Sequence, residues 1–111
     1  MEKILKEWNS IEIRQDKNGE YRVMNGNYTE LKTYDKTAAQ RKYRKLEKEL
    51  YTLQAWEIIN HNGGMRELDI IRNGAKFSKR RDTWTDEHKC VTISSAAGIC
   101  EVDIVAGIIC G

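Results

Sequence analysis

Two Asn-Gly pairs, Asn18-Gly19 and Asn25-Gly26, constrain the fold of this chain more than any other sequence feature. Asn-Gly takes the positive backbone angles of a tight hairpin turn, because glycine has no Cβ and asparagine tolerates the left-handed region. Two such turns so close together predict three short strands that lie side by side.

The alternation of side chains along these strands gives the predicted sheet an apolar face and a charged face. The apolar face holds Ile11, Ile13, Tyr21, Val23 and Leu31. The charged face holds Arg14, Arg22, Lys32 and Tyr34, diluted by Glu12 and Glu30. We expect a helix to cover the apolar face.

A long amphipathic helix follows the sheet. Thr37 and Gln40 match a capping box at its start, and Asn62-Gly63-Gly64 is a stop signal at its end. The apolar stripe between them recurs every three or four residues, at Ala39, Tyr43, Leu46, Leu50 and Leu53. Residues 11–62 therefore form a predicted βββα unit.

The remaining segments predict smaller elements. Residues 2–9 suit a short helix, and residues 65–89 suit a short helix followed by a basic loop, although a strand also fits the start of that second segment. Residues 90–110 are rich in Val and Ile and predict two strands. The expected fold is one α+β domain over residues 1–111. It has a three-stranded antiparallel sheet packed on one long helix and a C-terminal strand pair.

Composition indicates a globular protein, since 40% of the 111 residues are hydrophobic and 32% are charged. The charged N-terminus matches neither a signal peptide nor a membrane span. Cys90, Cys100 and Cys110 are an odd number of cysteines, which favours free thiols and a cytoplasmic location.

The small formal charge of +2 conceals two basic clusters. The first lies on the long helix and includes Arg41, Lys42 and Lys45. The second is the stretch KFSKRRDTW, which interleaves Lys79, Arg80 and Arg81 with Phe77 and Trp84. Cations bind phosphates and aromatic rings stack on bases, so both clusters favour nucleic-acid binding. The structural alternatives are a solvated helix face and a loop whose two aromatic rings anchor in the core.

The pattern of residues 11–50, three strands and an amphipathic helix, resembles the AP2-like, arm-type DNA-binding domain of phage integrases. The resemblance implies that the charged face enters the major groove and that Arg14, Arg22 and Lys32 contact bases there. Glu12 and Glu30 on that face depart from the pattern. The chain as a whole looks like a small accessory protein of phages or mobile elements, a group that includes anti-CRISPR proteins.

Catalytic and metal chemistry find little support in the sequence. His88, Cys90, Cys100 and Cys110 lack the close pairing of zinc ligands. Asp103 in GICEVDIVAG is similar to the metal-binding acid of PD-(D/E)xK nucleases, but the acid-x-Lys strand that should follow is missing. We therefore expect neither enzymatic activity nor a cofactor.

The sequence leaves two functions open. The first is nucleic-acid binding, with DNA favoured over RNA and both left open, through Arg14, Arg22, Lys32, Arg41, Lys42, Lys45, Lys79, Arg80, Arg81 and Trp84. The second is inhibition of a host RNA-guided nuclease by occupation of its nucleic-acid or PAM-binding surface. That function would also use Glu12, Glu30, Tyr34, Asp82, Trp84, Asp86 and Glu87.

Overall fold

Between residues 2 and 110, which the computed structural model describes, eight strands form two antiparallel sheets. The strands are β1 Lys3–Trp8, β2 Ile11–Gln15, β3 Tyr21–Asn25, β4 Tyr28–Thr33, β5 Lys76–Lys79, β6 Cys90–Ser95, β7 Gly98–Asp103 and β8 Ile108–Ile109. The first sheet has the strand order β1-β2-β3-β4 and the second has the order β5-β6-β7-β8. The helices are α1 Lys36–Asn62 and α2 Met65–Arg72, with a 3-10 turn at Arg81–Thr83. The α+β class is thus confirmed, with four strands in each sheet.

The chain divides into two compact units, with the boundary between Glu47 and Lys48. Unit 1 contains the first sheet and the first part of α1. Unit 2 contains the rest of α1, helix α2 and the second sheet. Because α1 runs through the boundary, the prediction of a single domain stays a prediction.

The chain turns at both Asn-Gly pairs, and these turns connect β2, β3 and β4. The positive φ lies on the glycine of each pair and not on Asn18 or Asn25. Gly19 and Gly26 have φ angles of +88° and +63°, in the positive region that glycine enters at no steric cost. The carboxylate of Asp16 accepts hydrogen bonds from the backbone N–H groups of Asn18 and Glu20 at 2.8 and 3.0 Å. The three predicted strands therefore exist, inside a sheet of four.

Strand β1 corrects the sequence analysis, which predicted a helix over residues 2–9. It pairs antiparallel with β2 through a turn at Asn9, whose φ of 53° supplies the left-handed conformation without glycine. All of β1 before Trp8 is exposed. Burial therefore imposes no alternation on its sequence, and the spacing of Ile4, Leu5 and Trp8 imitated a helix.

Helix α1 begins and ends at sharp local signals. Asp35, not the predicted Thr37 and Gln40 box, caps it, because its Oδ1 accepts the N–H of Thr37 at 2.9 Å. The predicted stop at Asn62 is confirmed. A Cβ at Gly63 would overlap the carbonyl oxygen of Ile59, so only glycine fits there.

The two parts of α1 bury different stripes of side chains. In unit 1 the buried apolar residues of the helix are Ala39, Tyr43 and Leu46, as predicted. In unit 2 they are Tyr51, Ala55 and Ile59. Leu53, which the predicted stripe placed in the core, is 57% exposed. The predicted apolar stripe therefore identifies the buried residues of the first part of α1 but not those of the second part.

Unit 2 forms its core between α2 and the second sheet. Helix α2 buries Ile70 and Ile71, and its neighbours in the sheet are β6 and β7. Those strands bury Val91, Ile93, Cys100 and Val102. The predicted short helix and the predicted strand pair are confirmed. The predicted basic loop is corrected in part, because residues 76–79 form β5 along β6. Strand β8, which pairs with β7, is a further strand that was not predicted separately.

Candidate nucleic-acid interface

The charged face of the first sheet brings its three predicted cations into one row. Arg14 lies directly opposite Arg22 on β3, and Arg22 lies opposite Lys32 on β4. Like charges on neighbouring strands repel each other at this separation. A sheet with this register needs acidic neighbours.

Two glutamates supply that compensation. Glu12 binds Arg14 with an Oε1–Nη2 distance of 2.6 Å. Glu2 accepts from Arg14 at 3.3 Å and also pairs with Arg22. The two guanidinium groups expected to contact bases are therefore occupied by carboxylates of the same unit, and among the three cations Lys32 alone is exposed.

The structure removes Glu30 from the charged face, where the sequence analysis placed it. The register of β3 and β4 shifts at this point, so that Val23 opposes Leu31 while Met24 opposes Thr29. Glu30 is the extra residue of this bulge. Its carboxylate lies 3.7 Å from Nζ of Lys42 on α1. The bulge thus also neutralises Lys42, one of the helix cations predicted to bind phosphate.

Besides Lys36 at the first position of α1, three helix cations remain available in unit 1, and we call Arg41, Arg44 and Lys45 the helix ridge. All three are exposed, and no carboxylate among residues 2–110 forms an ion pair with them. Nε of Arg44 donates a hydrogen bond to the carbonyl oxygen of Gln40 at 3.4 Å. Residues three and four positions apart on a helix have Cβ atoms about 6 Å from each other. The ridge therefore presents three cations within one turn.

The buried side of the same helix turn is held by Tyr43 and Glu47, both less than 5% exposed. Nζ of Lys6 lies 5.0 Å from the centre of the Tyr43 ring. Burial, together with the charges of Glu47 and Glu7, raises the pKa of Tyr43 to about 12. Tyr43 is therefore neutral at physiological pH and fixes the helix on the sheet.

In unit 2, Trp84 is the centre of a packed cluster. Nζ of Lys79 lies 4.8 Å from the centre of its ring and Nζ of Lys89 lies 5.7 Å from it. Tyr51 meets the same ring edge-on at 5.7 Å. The structure thus brings Lys79 and Trp84 together, and the half-buried indole packs within the unit. Phe77 is 9% exposed and anchors β5.

The two arginines beside this cluster differ in availability. Nη1 of Arg80 lies 3.0 Å from both carboxylate oxygens of Glu101, and its Nε donates to Asp82 at 3.1 Å. These hydrogen bonds and charges, Asp82 first, raise the pKa of Arg80 above its usual value. Arg81 is exposed in the 3-10 turn. Arg81 thus projects without an acidic partner among the described residues, whereas Arg80 is held by two carboxylates.

Asp103 has a structural role in this fold. It is 3% exposed, and its Oδ1 accepts the backbone N–H groups of Lys89, Val105 and Ala106 at 3.0–3.2 Å. Oδ2 lies 2.8 Å from Nδ1 of His88. These bonds occupy the carboxylate and fasten the turn after β7 to the start of β6.

The cysteines and their neighbours form no metal site in the described residues, where no three His, Cys, Asp or Glu side chains cluster. The three thiols are free. Burial raises the pKa of Cys100. Burial and the adjacent Cys90 thiol raise the pKa of Cys110. The part of the chain described here also has no helix with the length and apolar character to cross a membrane.

Comparisons with protein-family models, with curated proteins and with solved structures find no match to the chain. The resemblance of residues 11–50 to an integrase DNA-binding domain therefore stays a prediction.

Sequence reasoning found the cations but missed their partners. The pairs of Glu2 with Arg14 and Arg22 depend on β1, which was predicted as a helix. Arg44 was also left out of the site residues, although its spacing from Arg41 and Lys45 was a sufficient signal.

Proposed function

We propose that this protein binds nucleic acid through the helix ridge of Arg41, Arg44 and Lys45. The observation that carries the proposal is the contrast within unit 1. Arg14, Arg22 and Lys42 are held by carboxylates, whereas the three ridge cations are exposed and have no carboxylate partner within residues 2–110. A cation that is already paired gains less from a phosphate, because the phosphate must displace the carboxylate first.

The ridge supports contact with the phosphate backbone, not with base edges. Its cations lie on the convex outside of one helix, and no aromatic ring is part of the ridge. Backbone contacts position a protein on nucleic acid but carry no direct sequence information. We therefore expect binding with little sequence preference.

The salt dependence of binding gives a quantitative test. Three phosphate contacts imply a slope of about −2.7 for log K against log salt on duplex DNA, or a roughly 40-fold loss of affinity between 50 and 200 mM salt. Fluorescence anisotropy with labelled single- and double-stranded DNA and RNA measures this slope directly.

A matched pair of triple variants locates the site. Arg41→Gln, Arg44→Gln and Lys45→Gln together should abolish most of the binding and flatten the slope. Lys17→Gln, Arg72→Gln and Lys76→Gln remove the same charge from other exposed positions and should leave most of it. Equal losses in the two variants, or no binding at low salt, would reject the proposal.

A second candidate function is inhibition of a host RNA-guided nuclease by direct protein contact. The observation in its favour is the balanced charge of the sheet face, together with Tyr28 and Tyr34, which are 68% and 69% exposed. Tyrosine is enriched in protein interfaces. Trp84, offered as an anchor by the sequence, is held by contacts inside unit 2.

This second function predicts inhibition of DNA cleavage by a purified RNA-guided nuclease with only a weak dependence on salt. Tyr28→Ala with Tyr34→Ala should relieve the inhibition, and the ridge triple variant should keep it. Cleavage that is unaffected by excess protein would exclude the function for the nuclease used.

A further inference from the structure

A pocket of about 300 Å³ opens in unit 1 between strand β1 and the start of helix α1. Ile13 and Ala39 contribute buried apolar surface to its lining, and Tyr21 contributes a half-buried ring. Leu5 adds an exposed apolar side chain from the sheet edge. The volume matches the lower end of the range for sites that take a small molecule, and such sites are lined mainly by apolar groups.

Among the described residues, two lysines are the charged groups that line this pocket, Lys6 on β1 and Lys36 at the first position of α1. Lys6 is placed there by its contact with the ring of Tyr43. Neither ammonium group forms an ion pair with a carboxylate among the described residues. The apolar lining of the pocket suits the apolar body of a ligand, and the two available ammonium groups suit an acidic group on the same ligand.

The sheet edge next to the pocket does not suit an added strand from a partner protein. Strand β1 has an irregular register between Ile4 and Lys6, and its exposed side chains include Lys3 and Lys6. Bulges and lysines on an edge strand are the features by which proteins prevent such pairing. A small ligand that enters between the strand and the helix needs no pairing with β1.

We propose that this pocket binds a small organic acid, with its apolar body against Ile13, Tyr21 and Ala39 and its acidic group between Lys6 and Lys36. The ridge cations do not line the pocket, so the inference is independent of nucleic-acid binding. Loss of one activity in a variant leaves the other measurable.

Anilinonaphthalene sulfonate is a suitable probe, because it combines an aromatic body with one sulfonate and its fluorescence rises in an apolar site. Phenylnaphthylamine is the matched neutral probe. In the variant Lys6→Gln with Lys36→Gln, the dissociation constant of the sulfonate should rise about tenfold, as expected for two exposed ion pairs. The affinity for the neutral probe should change less than about twofold.

Lys3→Gln with Lys17→Gln is the control, because both lysines are exposed in unit 1 and neither lines the pocket. It should leave the sulfonate affinity unchanged. An equal loss in the control variant would mean that net charge alone attracts the probe, and the proposal would be wrong.

Amide chemical-shift mapping on the unmodified protein tests the location without any substitution. Addition of the sulfonate should shift Ile13, Tyr21 and Ala39 first. Shifts centred instead on the exposed apolar residues of unit 2, such as Met65 and Ile99, would overturn the proposal. So would a mononucleotide that binds this pocket more tightly than the sulfonate, because it would assign a different ligand class.

Discussion

Replacing Asp103 with alanine removes a carboxylate that anchors the turn after β7. Three backbone N–H groups, those of Lys89, Val105 and Ala106, lose their acceptor, and the imidazole of His88 loses its partner. Each backbone hydrogen bond contributes about 1 kcal/mol to stability, so the loss of all three lowers the free energy of unfolding by about 3 kcal/mol. The pair with the exposed His88 adds little.

Asp103→Asn is the matched control, since its amide oxygen can still accept the three backbone hydrogen bonds. It removes only the negative charge, and we expect a cost of about 1 kcal/mol. Urea denaturation followed by circular dichroism measures both values, with an unchanged dependence on urea concentration. A cost below about 0.5 kcal/mol for the alanine variant would refute this account, because that is the size of an ordinary surface effect.

The same carboxylate makes stability depend on pH in the acidic range. Burial raises the pKa of Asp103, but the hydrogen bonds from His88 and from the backbone outweigh it and hold the pKa below its usual 3.8. The folded state therefore binds fewer protons than the unfolded state in this range. The stabilisation is complete above pH 3.8 and is lost as the pH falls through the folded value. Asp103→Asn should flatten this part of the profile.

Three further perturbations test the fold and the proposed site. Gly63→Ala should lower the free energy of unfolding by about 1–3 kcal/mol, because the new Cβ clashes with the carbonyl oxygen of Ile59. Gly64→Ala is the control and should cost about 1 kcal/mol at most, because its Cβ meets the flexible carboxylate of Glu67. Tyr43 should stay un-ionised at pH 11 in an ultraviolet titration, because its pKa is about 12, and its stabilising effect should be lost as the pH rises from 10 toward that value. Glu2→Gln with Glu12→Gln should free the two sheet-face arginines and raise the affinity for duplex DNA about fivefold at low salt; unchanged affinity would mean that these arginines do not reach the nucleic acid.

Local signals in the sequence were sufficient for much of this fold. Asn18-Gly19, Asn25-Gly26 and Asn62-Gly63-Gly64 mark positions where backbone geometry demands particular residues, and the structure has a turn or a helix end at each. Strand β1 lacked such a signal. Its turn uses Asn9 without glycine, and its exposed residues show no alternation.

Where one helix packs in two different environments, its buried residues could not be predicted from a single helical period. Helix α1 belongs to both compact units. Its buried apolar residues end at Leu46 in the first unit and begin at Tyr51 in the second. Spacing within the helix carries no information about where one environment ends. Extrapolation therefore buried Leu53, which the structure exposes.

The candidate site shows the same limit for charge. Both basic clusters were visible in the sequence, but the availability of each cation depends on the strand register and on a bulge that sequence patterns do not show. The pairing of β1 with β2 brings Glu2 to Arg14 and Arg22, and the bulge at Glu30 turns that carboxylate to Lys42. Arg41, Arg44 and Lys45 avoid such pairing because they lie on the outward face of a helix turn, away from the strands of the sheet. The proposed binding surface of unit 1 therefore depends less on where cations are frequent than on where the fold brings a carboxylate to them.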